Sequence, residues 1–214
     1  MAVNDVGANY GSSIVFLFFG GFVLALGLEK VNLHRRIALT IIKKTGTSPN
    51  KVILGFMIAT AFMSMWISNT ASTVVMLPIA LSVINLLIDQ QEFSTKQTRN
   101  FALSVMLGIA LSANAGGIAT VIGTPPNSVL IGLLENEYQI QISFVKWMAI
   151  GLPFAIVMIT IIYLVLVYGM FSTKGLQFSA SQEVIDDELE KLGPIKPKEK
   201  QVLGFSELLY RCGF

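Results

Sequence analysis

The chain is poor in charge, and the charge it has is kept out of long stretches. Asp, Glu, Lys and Arg make up 13% of its 214 residues, about half the share of an ordinary soluble domain. None of them falls in 11–28, 52–88, 101–134 or 147–173. With 53% hydrophobic residues and a mean hydropathy of +0.68, that segregation excludes an ordinary soluble globule and predicts an all-α polytopic membrane protein. Cysteine is nearly absent: Cys212 alone excludes an internal disulfide framework and a zinc-type cluster. The single histidine, His34, sits beside Arg35 and Arg36, where a solvated or headgroup-facing role fits better than metal binding. A net charge of +2 indicates no basic surface for nucleic acid. The first ten residues lack Lys and Arg, so no cleavable leader is expected there.

What is present is a series of apolar runs. The first, 11–28, is just long enough for a span, which takes about 20 helical residues. About 31–46 follows, with an amphipathic stretch from Leu33 to Ile42 that reads equally as a membrane-surface helix and as a connecting helix. Next come Val52–Trp66 and Ala71–Ile88, separated by little more than Ser68-Asn69-Thr70. The first of these would be ~22 Å as helix, against a hydrocarbon core of ~30 Å. A re-entrant hairpin over 52–88, two short helices meeting at a polar tip within the membrane, fits that length better than two crossings. The run 101–134 is interrupted by "SANAGGIATVIGTPPNS". Gly116, Gly117, Gly123, Pro125 and Pro126 there predict a discontinuous helix. The last run, 147–171, is a full span with Pro153 placed to kink its first turns. Residues 174–214 read as a solvated linker.

Lys30, Arg35, Arg36, Lys43, Lys44 and Lys51 fall in one loop, and Lys96 and Arg99 in the next. The positive-inside rule therefore puts loops 30–51 and 89–100, with the C-terminal tail, in the cytoplasm of a plasma (inner) membrane protein.

Two interrupted helices in one membrane unit point to secondary transport. Freed N–H groups at helix starts favour anions, and freed carbonyls favour cations. Ser64 and Ser68 are four residues apart and share a helical face; Asn69 adds an amide and Thr70 a hydroxyl. Neutral oxygens without carboxylates suit a weakly held monovalent cation, not calcium or zinc. No titratable carboxylate, lysine or histidine lies in the spans, which favours sodium over protons as the coupling ion. Taken alone, Ser-Asn-Thr is also what an ordinary polar turn looks like. "GTPPN" lacks the Gly-Lys-Ser/Thr ending of a phosphate loop, and the methionines near the tip read as packing residues.

The pair "SMWISNTASTVVMLPIA" and "GGIATVIGTPPNSV", with "FLFFGGFVLALGLEK" upstream, resembles the divalent-anion/sodium symporter family over roughly residues 10–200. That resemblance implies one half of an inverted-repeat ion-transporter fold, so that 1–173 is a partial membrane transport domain. It implies sodium-coupled symport of a dicarboxylate, citrate or sulfate by the full-length protein, as a homodimer and not as an enzyme. Carried over by motif, the sodium ligands are Ser64, Ser68, Asn69 and Gly123, with Gly117 as an alternative carbonyl. The substrate contacts are Asn69, Thr70, Thr124 and Pro125. Sodium is the only cofactor implied, and the bilayer and a small divalent anion are the partners.

Relatives in that family carry a second hairpin and helices before "FLFFGGF" that are absent here. The ending "GFSELLYRCGF" does not continue as a membrane helix, and the expectation is an incompletely read or frameshifted gene. Two alternatives accompany the symporter reading: a truncated, non-transporting membrane fragment, and a proton-coupled or exchanging carrier on the same fold.

Overall fold

Residues 16, 19–20, 23, 26–27, 30–46, 48–89, 95–171, 181–195, 197 and 199 are described by a computed structural model, and every regular element among them is a helix. α1 (Leu33–Thr45) follows Asn32, held at φ 55°, and stops at Gly46 with φ 104°. Both are left-handed positions, which Asn tolerates and Gly favours. Lys43 and Lys44 in its last turn complement the helix dipole. α2 (Pro49–Ser64) opens with proline, whose missing N–H has no partner to lose at a helix start. The turn Met65–Ser68 leads to α3 (Asn69–Asp89), and the segment Ala119–Thr124 separates α4 (Thr95–Ile118) from α5 (Pro125–Tyr138). α6 (Phe144–Leu164) is capped by Ser143, whose hydroxyl accepts from the Lys146 N–H, and it runs on as a π-helical turn, Val165–Met170. α7 (Ser181–Leu192) completes the set.

α2 is the central helix. Val52, Ile53, Phe56, Met57, Ala59 and Met63 are buried among residues of α1, α3 and α4. The approach of α4 is set by its glycines. A Cβ on Gly116 would lie 2.3 Å from the Ala61 carbonyl oxygen, and one on Gly108 would lie 3.0 Å from Met57 Cγ. Such small-residue contacts let membrane helices gain packing where no hydrophobic drive separates them from lipid. Gly116 and Gly117, expected within the interruption, are therefore helical, and the interruption itself is confined to Ala119–Thr124. Their lack of a side chain serves close approach instead of bending.

Among the described residues, two helices, Lys96–Ile118 and Phe144–Met170, are long and apolar enough to cross a membrane, and α3 is 21 residues long and free of charge as far as Ile88. The large side chains on the outward face of α6, among them Ile150, Phe154, Ile156 and Ile161, are about half exposed or more, as a lipid-facing helix requires. Most of the expected first span, 11–28, falls outside the described residues. Phe16, Phe19, Val23 and Leu26 within it are helical and exposed. The atypical ending, 201–214, also lies outside them.

The amphipathic face of α1 is covered by α2: Leu33, Ala38, Leu39 and Ile42 are buried. His34, expected to meet solvent or headgroups, lies on that covered face and is 6% exposed. It shares the face because it precedes Ala38 by four residues, one helical turn. Within the expected solvated linker, 181–192 forms α7, which docks on α1. Its acidic residues meet the basic face of α1: Arg35 pairs with Glu188 and Lys43 Nζ lies 2.7 Å from Asp186, while Arg36 Nε donates at 2.8 Å to Glu199, beyond the end of α7. Arg36 also donates to the carbonyls of Leu192 (3.2 Å) and Gly193 (2.8 Å), the C-terminal end of α7. A guanidinium there satisfies orphan carbonyls and the negative end of the dipole. Lys191, hydrogen bonded to Glu188, outweighs burial and, with Arg35, holds that carboxyl below the usual carboxylate range.

Candidate ion and substrate site

Two backbone interruptions face each other where α2 meets α3 and where α4 meets α5. The first begins as α2 tightens at its end, the Met63 carbonyl accepting from both Trp66 and Ile67 N–H groups. Ser68 then starts α3, its hydroxyl accepting from the Ala71 N–H at 3.2 Å, the usual work of an N-cap serine. The second begins as the Ala119 N–H reaches back to Gly116. It ends at Thr124, which precedes two prolines and whose hydroxyl makes no capping bond. The Asn127 N–H instead goes to the Thr124 carbonyl at 3.2 Å. Pro125 and Pro126 have no N–H, so α5 offers an anion its dipole with fewer donors than an ordinary helix start.

The tip and the interruption are tied together. Thr120 Oγ1 donates to the Met65 carbonyl at 2.6 Å and accepts from the Gly123 N–H at 3.0 Å. Asn127 Nδ2 donates to the carbonyls of Gly117 (3.0 Å) and Thr120 (2.7 Å), and Ser128 Oγ donates to Val121 (2.9 Å). Trp147 Nε1, from the start of α6, donates to the Ile118 carbonyl at 2.9 Å. A buried carbonyl that leaves a helix costs about 1–3 kcal/mol if it stays unpaired. Here three side chains, of Asn127, Ser128 and Trp147, meet those freed at the interruption, and Thr120 meets one at the tip.

The expected site residues fall into two groups. Ser64, fully buried, places its hydroxyl 2.5 Å from Asn69 Oδ1 and 2.7 Å from the Ala113 carbonyl. Asn69 Oδ1 presses on Gly117, where a Cβ would lie 2.4 Å away. A Cβ on Gly123 would in turn lie 2.4 Å from the Gly117 carbonyl oxygen. So Ser64, Asn69, Gly117 and Gly123 form one chain of contacts. Ser68, Thr70, Thr124 and Pro125 stand at its rim. Ser68, Thr70 and Pro125 are exposed and Thr124 is half-buried. Thr120, Asn127, Trp147 and Asn114 were not singled out from sequence. Asn127 alone had a local signal, being the residue after Pro-Pro and so the first in α5 with an N–H. Asn114 Oδ1 accepts from Asn69 Nδ2 at 3.1 Å.

The chemistry of the cluster follows from counting protons. Ser64 Oγ, Asn69 Oδ1 and the Ala113 carbonyl converge; the serine brings the one side-chain proton among them, and the carbonyl also has the Gly117 N–H of its own helix. Three oxygens then share few protons at a part-buried place, and their spare lone pairs favour a cation.

Comparison with known proteins came out in one direction. The family model for the sodium:sulfate symporter transmembrane region matches residues 1–211. Two relatives, each described as the sodium-dependent dicarboxylate transporter SdcS, come from Staphylococcus aureus strains USA300 and NCTC 8325. Each is 44% identical to this chain over 200 residues, covering 92% of this chain and 38% of the relative. The chain thus spans well under half the length of the relatives it matches.

Proposed function

The chain belongs to the sodium:sulfate symporter transmembrane family, a family of carriers and not of enzymes, and from that premise we propose that it supplies one half-site of a sodium-coupled carrier for a divalent anion. The observation that carries this reading is the oxygen surplus at Ser64, Asn69 and Ala113. Sodium is held by Ser64, Asn69, Ser68 and the Gly123 carbonyl. Gly117 is the poorer carbonyl, because Asn127 already donates to it. The anion meets Asn69, Thr70 and Thr124, with Pro125 alongside. Since the two prolines withhold their donors, the unused Thr124 hydroxyl is the group that gives the anion a hydrogen bond there.

The membrane placement follows the same logic. α2 is ~24 Å long, short of a ~30 Å core, whereas α3 at 21 residues comes to about that length. The short α2 supports a re-entrant hairpin with its tip at membrane depth. Ion pairs from α1 to α7 and to Glu199 support a common side for the basic loop 30–51 and the tail, and the positive-inside rule makes that side the cytoplasm. A second inverted half, and dimerisation through it, belong to the full-length carrier that the resemblance implies; the dianion would be shared between the two halves. Dicarboxylates are the leading substrate class, since the relatives at 44% identity are described as dicarboxylate transporters.

The test exchanges residues 10–200 of this chain into the matching region of the S. aureus relative and measures uptake of labelled succinate, citrate and sulfate into vesicles. Uptake that stops when choline replaces sodium is expected. Uptake indifferent to sodium would transfer the reading to a proton-coupled or exchanging carrier. A well-folded chimera with no uptake would favour a non-transporting segment.

A further inference from the structure

The amide of Asn69 can sit in two hydrogen-bonded orientations, and its neighbour on α4 decides between them. With Oδ1 toward Ser64, the pocket holds three oxygens and one side-chain proton, the cation-accepting arrangement. Turned over, Nδ2 would donate to Ser64 Oγ and Ser64 would donate to Ala113, so the pocket would be satisfied without an ion while Asn69 Oδ1 came to face Asn114 Oδ1. The turned state closes the network on itself and removes a carbonyl oxygen from the ion's reach.

We propose that Asn114 is a positioning residue that keeps the Asn69 amide in the sodium-accepting orientation. Asn114 Oδ1 accepts the Asn69 Nδ2 proton at 3.1 Å. That contact is lost when Asn69 turns, unless Asn114 turns with it. The same turn of α4 supplies the other constraints: the Ala113 carbonyl lies beside Ser64, and Gly117, one turn on from Asn114, has no Cβ to crowd Oδ1. Asn114 is itself exposed. On this structure it acts through Asn69 and makes no bond to Ser64. The inference rests on the sodium reading above and adds a residue to it.

A double-mutant cycle separates orientation from other roles. The full chain is purified in detergent, and its unfolding temperature is followed against sodium, with choline holding ionic strength constant. Asn114→Ala should weaken the apparent sodium affinity about tenfold, the worth of one orienting hydrogen bond. Asn69→Asp presents two equivalent oxygens and needs no orienting partner, so adding Asn114→Ala to it should change sodium affinity less than twofold. Equal loss in both backgrounds would overturn the inference, because Asn114 would then act on the ion or on packing directly. No loss in the wild-type background would overturn it as well. Asn114→Leu, nearly isosteric, repeats the deletion if the alanine variant unfolds without sodium. A wild-type chain whose stability ignores sodium would instead remove the sodium site, and this inference with it.

Discussion

The hairpin tip and the helix interruption are built from the same kinds of residue and end in opposite states. At the interruption, Asn127, Trp147, Ser128 and the N–H groups of α5 leave freed carbonyls with donors. At the tip, Ser64 and Asn69 bring oxygens together faster than protons. One region is braced, the other is left wanting a positive charge. Polar residues inside an apolar protein are thus two populations, one spent on holding the backbone and one that, on the proposed reading, is kept for a ligand. Their distinction lies in donor count and not in residue type.

The largest effect should come from breaking the brace's geometry. Gly116→Ala puts a Cβ against the Ala61 backbone, which cannot give way as a side chain can, and should cost about 3 kcal/mol or more; a steep loss of unfolding temperature checks it. Asn127→Leu strips two buried carbonyls of a shared donor and should cost about 2–3 kcal/mol, again read by thermal unfolding. Sodium added back should recover little of it.

At the tip the ordering reverses. Asn69→Ala should abolish most of the sodium-dependent stabilisation and, in the chimera, raise the concentrations of both sodium and anion needed for uptake. Its unfolding temperature without sodium should move by no more than about 1 kcal/mol would produce. Unchanged sodium affinity would take Asn69 out of the site. Away from both regions, the Glu188 carboxyl is held low in the folded chain by Lys191 and then Arg35. Its contribution to docking α7 is complete above the unfolded carboxylate value of about 4.3 and is lost as pH falls through the lower folded value. Protection of the α7 amides, taken relative to the intrinsic exchange rate at each pH, should therefore hold at neutral pH and fall only in that acid range. Smallest of all, Met76→Leu, a buried packing change, should shift stability by less than about 1.5 kcal/mol and leave sodium affinity alone.

Much of this was legible in the sequence because hydrocarbon forces breaks to announce themselves. A charge-free run interrupted by Ser-Asn-Thr or Gly-Thr-Pro-Pro can only be a place where the helix stops. The helices α2 and α3, and the halves α4 and α5, follow from that. Gly116 and Gly117 misled, because a glycine that permits a helix to touch its neighbour looks identical in sequence to one that ends it. α7 escaped because its charge reads as a solvated linker, although Leu189 and Leu192 pack against the core and its ion-pair partners on α1 lie more than a hundred residues away. Ser64 and Asn69 could be named from local spacing and family resemblance. Asn114 and Thr120 could not, since their partners, Asn69 and Met65, are 45 and 55 residues distant.

The pairing of α1 with α7 also sets a schedule. Arg35 and its partner Glu188 are separated by 153 residues, which at ~5–20 residues per second takes the ribosome about 8–30 s to add. Throughout that interval α1 is already made and the carboxylates of α7 that its cations pair with are not. This is also when neighbouring segments are being threaded into the bilayer, so the guanidiniums are at full strength while orientation is decided. The later arrival of α7 then neutralises them. One set of charges can serve first as a topological signal and afterwards as a structural clasp.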